Sequence, residues 1–142
     1  MAKKNIPCET KYFHYYNANP KNKSTSDCVL RALCGVLPNK TYHQIAKELF
    51  ELSIKCGYFM NDKKCYEKYL ELNGFRKMKQ PKKEDGTKYT GEEFCNKVQK
   101  FSFNYPERIF AHIGGHHVVA IVGGKVCDIW NSTGGCIGNY YV

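Results

Sequence analysis

The apolar positions between residues 24 and 101 recur three and four apart, the spacing of helices that bury one face. Residues that favour helix starts stand before these stretches, and Thr41 with Gln44 and Thr90 with Glu93 form two capping boxes. The pattern predicts four helices, which begin at the polar run STSD (24–27), at Thr41, at Asn61-Asp62 and at Thr90.

After residue 107 the pattern becomes β-branched and strand-like. Strands are predicted over Arg108–Ile113, His117–Val122, Lys125–Trp130 and Asn139–Val142, with shorter candidates at Tyr12–Tyr16 and Phe75–Lys79. Because helices come first and strands later, we expect an α+β fold with N-terminal helices packed on a C-terminal antiparallel sheet. No shift in composition divides the chain, so residues 1–142 form one predicted domain, of which 1–23 are an extended arm.

The pair Gly123-Gly124 separates two strand-like runs and is typical of a two-residue hairpin turn. In that hairpin Val122 lies opposite Lys125, and side chains alternate between the two faces. His117 and Asp128 then share one face as diagonal neighbours, about 7 Å apart in the backbone. A shift of one residue in register would place the histidine and the aspartate on opposite faces.

The eight cysteines stand at positions 8, 28, 34, 56, 65, 95, 127 and 136. The chain shows neither the apolar run of a signal peptide nor the ~20 apolar residues of a bilayer span, so we expect a cytoplasmic protein without disulfides. The closest pair, Cys28 and Cys34, has five residues between its members, where structural zinc sites typically have about two to four. We therefore expect no metal and no cofactor, and most thiols in the core.

The net charge is +9, from 22 basic and 13 acidic residues, and lysines are concentrated between Arg76 and Lys100. A basic segment of this kind binds nucleic acid in some proteins and is a solvated surface in others. The chain lacks the spaced aromatics of an RNA-binding module and a helix-turn-helix pattern, which favours the solvated surface. The charge is also compatible with an acidic protein or peptide partner.

Cys28 stands at the start of the first predicted helix, where the helix dipole favours a thiolate. A carboxylate beside an imidazole orients the ring and favours its charged form, and an imidazolium lowers the pKa of a nearby thiol. Cys28, His117 and Asp128 are thus a candidate nucleophile, base and orienting group, with Trp130 opposite His117 as a cover from water. On spacing alone, a buried structural thiol and a core histidine account for the pattern equally well.

A cysteine at a helix start, a later glycine-flanked HVVAI strand and then D-x-W resemble the papain-like cysteine peptidase superfamily. Asp128-Ile129-Trp130 is similar to the papain N-S-W element, and DCVLRAL (27–33) resembles the NCLFRAL-type segment of ovarian-tumour-type deubiquitinases. The combination resembles small papain-fold proteins of bacteria and their phages. The resemblance is carried by the residues around Cys28 and by His117 to Trp130, and it is weak from Tyr42 to Phe110.

By this resemblance Cys28 would be the nucleophile, His117 the general base and Asp128 the orienting residue, with the adjacent His116 as the alternative base. Papain-like enzymes have an oxyanion-hole glutamine six residues before the nucleophile. This chain has Asn22 there, which would donate together with the Cys28 backbone N–H. The deubiquitinases have an aspartate three residues before the cysteine, where this chain has Thr25, so the signature of that subfamily is broken.

The resemblance implies a cysteine hydrolase of the peptidase, isopeptidase or amidase type that forms an acyl-enzyme with a protein or peptide substrate. Two alternatives stay open. The first is a catalytically silent papain-fold binding or inhibitor protein. The second is a nucleic-acid-binding protein that uses residues 76–100. No membrane partner is expected.

Overall fold

The computed structural model describes residues 6–142, so the first five residues of the predicted arm lie outside the described part. The described residues form four helices, α1 (Cys28–Val36), α2 (Tyr42–Cys56), α3 (Lys63–Leu72) and α4 (Gly91–Lys100), followed by a 3-10 turn at Ser102–Asn104. The strands are β1 (Phe13–Tyr15), β2 (Lys77–Met78), β3 (Arg108–Ile113), β4 (His117–Val122), β5 (Lys125–Asp128) and β6 (Ile137–Tyr141). The α+β class is confirmed. No helix within residues 6–142 is long and apolar enough to cross a bilayer.

The six strands form one sheet in the order β1-β5-β4-β3-β6-β2. Every pair is antiparallel except β1 with β5, which is parallel, so the prediction of an antiparallel sheet is wrong at this edge. The added strand comes from the segment that we expected to be an extended arm. It joins the sheet because Phe13 pairs with Val126, where both side chains are fully buried.

The predicted register of the hairpin is confirmed. Val122 lies opposite Lys125, and the pairing continues through Ile121 with Val126. β5 ends at Asp128, two residues before the predicted end of that strand. Trp130 therefore lies in the segment after the strand and reaches His117 as a ring contact rather than as a cross-strand pair.

Helices cover both faces of the sheet. α1, α2 and α3 pack on the face that carries Phe110, Val118 and Tyr141, and α4 packs on the face that carries Ile109 and Ile121. All eight cysteines are free thiols, and all except the exposed Cys8 and Cys136 lie in or against these two clusters.

Helix α1 lies unusually close to β4. A Cβ atom added at Gly35 would lie 2.4 Å from the Cβ of Ala120, so only glycine allows this approach. At the other end of the helix, Cys28 lies against the backbone of Val118. The close packing thus fixes the N-terminus of α1 beside the start of β4.

Substitution of Gly35 by alanine tests this approach. The helix or the strand must move to admit the methyl group, so we expect a loss of about 1–3 kcal/mol in the free energy of unfolding. The helix propensity of alanine opposes that loss by up to about 1 kcal/mol. The matched control is Gly134→Ala, where an added Cβ meets no atom within 4 Å. Urea denaturation measures both, and equal stability of the two variants would contradict the prediction.

Candidate active site

A cleft of about 450 Å³ opens where the N-terminus of α1 meets the start of β4 and the segment after β5. Cys28, His117 and Trp130 line it together. The other lining residues are mostly polar: Ser24, Thr25, Ser26, Arg31, Asn61, Tyr66 and His116, with Val29, Val118 and Ile129. The structure thus brings the predicted nucleophile and base to one solvent-accessible site.

The N-terminus of α1 opens towards this cleft without a side-chain cap. Asp27 occupies the N-cap position, but its carboxylate makes no capping hydrogen bond. It accepts instead from Arg31 at 2.8 Å, from Tyr42 at 2.9 Å and from Asn19 at 3.0 Å. The first backbone N–H groups of α1 therefore have no capping side chain, and Cys28 stands at the positive end of the helix dipole.

His117 and Asp128 are joined directly. The Nε2 atom of His117 lies 2.6 Å from Oδ2 of Asp128, whose side chain is 1% exposed. The indole of Trp130 lies over the imidazole with ring centroids 5.2 Å apart, while half of its own surface is exposed. The hairpin register explains the first contact, since it places both residues on one face of neighbouring strands.

The thiol of Cys28 and the His117 ring line the same cleft and lie close enough for each to shift the pKa of the other. Because Asp128 takes Nε2, the ring nitrogen left for the thiol is Nδ1. Burial opposes ionisation of Cys28, but hydrogen bonds from His117 and the Val118 backbone N–H outweigh it and lower the thiol pKa. Burial likewise opposes protonation of His117, but its bonds to Asp128 and Cys28 raise its pKa to about 9. Both shifts favour a thiolate–imidazolium pair.

Arg31 is a central member of the site that the sequence analysis missed. Its Nε donates to Asp27 at 2.8 Å and its Nη1 donates to Oδ1 of Asp128 at 2.9 Å, and all three side chains are buried. Asp128 also accepts from the Ser132 hydroxyl and the Ile129 backbone N–H, each at 2.8 Å. Both carboxylate oxygens are thus saturated with donors, and they hold the His117 ring in one orientation.

One sequence signal was available for Arg31. It stands four residues after Asp27, the spacing of a helical ion pair, and three residues after Cys28, which puts it near the same helix face. An arginine among the apolar residues of a helix that is otherwise buried requires a partner of opposite charge. No local pattern marks Ser132, because its contact depends on the turn that follows β5.

The other predicted residues lie further from the central contacts. His116 lines the same cleft but is exposed in the turn before β4. Asn22 is exposed, its Oδ1 accepts from Asn17 at 3.4 Å, and it is absent from the described residues that line the cleft. Its role as an oxyanion donor stays a prediction. Within residues 6–142, no three His, Cys, Asp or Glu side chains are grouped to hold a metal ion.

The basic segment 76–100 contributes no described residue to the lining of the cleft. Two of its lysines form ion pairs with neighbouring acids, Lys77 with Glu67 and Lys83 with Glu93. Part of the positive charge that the sequence analysis noted is therefore neutralised locally.

The lowered thiol pKa predicts selective alkylation of Cys28. We expect iodoacetamide at pH 6 to 7, followed by mass mapping, to label Cys28 before the exposed Cys8 and Cys136, because the thiolate is the reactive form. His117→Ala should remove this preference, since the imidazole favours the thiolate. Equal labelling of all exposed thiols in the wild type would contradict the prediction.

Replacing Arg31 by methionine removes the cation that two buried carboxylates share. Loss of one partner from a buried ion pair costs about 3–5 kcal/mol, so we expect a loss of that size in the free energy of unfolding at neutral pH. The exposed Arg76→Met variant is the matched control, for which urea denaturation should show little change.

The stability lost in Arg31→Met is predicted to depend on pH. Burial raises the pKa of Asp27 and of Asp128, but hydrogen bonds from Arg31 and His117 respectively outweigh it and keep both below 3.8. In the wild type this stabilisation is complete above pH 3.8 and is lost as the pH falls through the folded-state pKa values. Without Arg31 the carboxyls protonate more readily, so the stability difference should shrink from neutral pH towards pH 4. A constant difference would contradict the ion-pair origin.

Comparison of the chain with protein-family models, with curated proteins and with solved structures found no match in any of the three.

Proposed function

We propose that this chain is a cysteine hydrolase of the papain-like type, which cleaves an amide, isopeptide or thioester bond through an acyl-enzyme on Cys28. One observation carries the proposal: His117 is bonded to the buried Asp128 carboxylate and lies in one cleft with the Cys28 thiol, close enough to lower its pKa. A core histidine without a chemical role has no need of a thiol on one side and a saturated carboxylate on the other. The cleft also leaves the thiol accessible to a substrate.

In the first half of the reaction the Cys28 thiolate adds to the substrate carbonyl carbon. The electron pair of the C=O bond moves to oxygen, and the free N–H groups at the start of α1 face the negative charge that develops. His117, which is protonated at rest, gives its proton to the leaving amine or thiol as the carbon–heteroatom bond breaks. An acyl-enzyme on Cys28 is left.

In the second half, neutral His117 takes a proton from water, and the resulting hydroxide equivalent attacks the acyl carbon. The C–S bond breaks, the carboxylic acid leaves and the thiolate–imidazolium pair forms again. Asp128 stays ionised throughout, because Arg31 and Ser132 bind it in every step. An amine in place of water would give acyl transfer on the same residues.

The papain-like assignment rests on the order and placement of these groups. The candidate nucleophile begins a helix that packs on the sheet, and the base and the orienting residue lie on neighbouring strands of that sheet. The covering tryptophan follows the aspartate by two residues. These features agree with the superfamily that the sequence resembles.

A panel of ubiquitin-like, peptide and thioester probes tests the proposal. We expect wild-type protein to release the leaving group of at least one probe, Cys28→Ala to be inactive and His117→Ala to be slower by about 10²–10⁴. The matched control is Cys34→Ala, which removes a buried thiol from the same helix and should keep the activity. Turnover that persists in Cys28→Ala would overturn the mechanism. Selective alkylation of Cys28 without turnover of any probe would instead favour the silent binding protein.

A further inference from the structure

A second histidine, His112, is the centre of a chain of hydrogen bonds behind the cleft. Its Nε2 lies 3.3 Å from the hydroxyl of Tyr66 and 3.2 Å from the hydroxyl of Tyr141. Tyr141 donates in turn to the carboxylate of Glu67, which pairs with Lys77 at 2.9 Å. The chain thus begins at an ion pair and ends at Tyr66, which lines the cleft.

The direction of each hydrogen bond follows from the proton count. Burial opposes ionisation of Glu67, but hydrogen bonds from Tyr141 and Lys77 outweigh it and lower its pKa, so Glu67 can only accept. Tyr141 donates its single hydroxyl proton to Glu67, so towards His112 its oxygen can only accept. The Nε2 atom of His112 must therefore carry a proton and donate it.

The same Nε2 proton faces the oxygen of Tyr66. Burial, together with the charge of Lys63, lowers the pKa of His112 to about 4, so the ring is neutral at pH 7 and has one proton. That proton is shared between the oxygens of Tyr141 and Tyr66 in a three-centre hydrogen bond, so the Tyr66 oxygen is an acceptor in this contact. The hydroxyl proton of Tyr66 is then free for a different acceptor.

Tyr66 is held rigidly at the edge of the candidate active site. It is 4% exposed, and its ring packs on Phe110 with centroids 5.6 Å apart. It lines the same cleft as Cys28. Burial, then the charges of Glu67 and of a Cys28 thiolate, raise the pKa of Tyr66, which keeps the hydroxyl protonated.

We propose that Tyr66 donates a hydrogen bond to the oxyanion that forms when the Cys28 thiolate adds to a carbonyl. The inference rests on the proposed hydrolase function. As the S–C bond forms, the carbonyl electron pair moves to oxygen, and the Tyr66 O–H and the Cys28 N–H bind that oxygen without transferring a proton. When the intermediate collapses the pair returns to carbon, and His117 protonates the leaving group. Tyr66 thus supplies the side-chain donor to the oxyanion, the role for which the sequence analysis predicted Asn22.

Tyr66→Phe removes the hydroxyl and keeps the ring that packs on Phe110. The rest of the hydrogen-bond chain is kept in this variant, since His112 still donates to Tyr141. The fold should therefore be intact by circular dichroism. The matched control is Tyr69→Phe, a tyrosine of α3 that is equally buried but donates to Glu48. Two reactions of Cys28 are compared: acylation by p-nitrophenyl acetate, which passes through an oxyanion, and alkylation by iodoacetamide, which does not.

We expect Tyr66→Phe to slow acylation by about 10²–10³ and to leave alkylation unchanged, while Tyr69→Phe changes neither. Acylation of Tyr66→Phe at the wild-type rate overturns the proposal. An equal loss of acylation and alkylation also overturns it, because the hydroxyl would then act on the thiolate. Failure of the hydrolase proposal is seen in the wild type instead of in the variant. If wild-type Cys28 is alkylated but never acylated, both the hydrolase function and the role of Tyr66 are refuted.

Discussion

The buried contact between Arg31 and Asp128 joins helix α1 to the β4–β5 hairpin at the candidate active site. Arg31 belongs to the helix that starts with Cys28, and Asp128 belongs to the hairpin that carries His117. Their ion pair is a direct polar link between those elements, and it lies out of water, where the strength of the interaction depends strongly on geometry. The guanidinium is suited to this position because it is planar and rigid and can donate hydrogen bonds to Asp27 and Asp128 at the same time.

Charges alternate along the site from the N-cap of α1 to Cys28. Asp27 is followed in space by Arg31, then by Asp128, then by His117 and finally by Cys28. Each buried ion has a neighbour of opposite sign, so desolvation is offset at every step of the series. Cys28 is the last member, and both His117 and Arg31 lower the pKa of its thiol.

Local rules of the sequence were enough for much of this arrangement. The capping residues Thr41 and Thr90 marked helix starts that the structure has, and Gly123-Gly124 fixed the register that pairs His117 with Asp128. The features that the sequence did not predict depend on contacts between residues far apart in the chain. β1 is a strand because β5 is beside it, and Tyr66 lies at the cleft because α3 packs over β3, which no spacing within either segment indicates.

The parallel pairing of β1 with β5 has a consequence for the order of events during synthesis. It joins residues 13–15 to residues 126–128, and the backbone N–H of Tyr16 donates to the carbonyl of Asp128 at 2.9 Å. Residues 13–15 are thus made before the hairpin that they support. Until residues 117–128 leave the ribosome, Cys28 has neither its imidazole nor its neighbouring strand, and its thiol has ordinary reactivity. A growing chain therefore carries an ordinary thiol at Cys28, which gains its imidazole neighbour only when residues 13–16 and 117–128 have met.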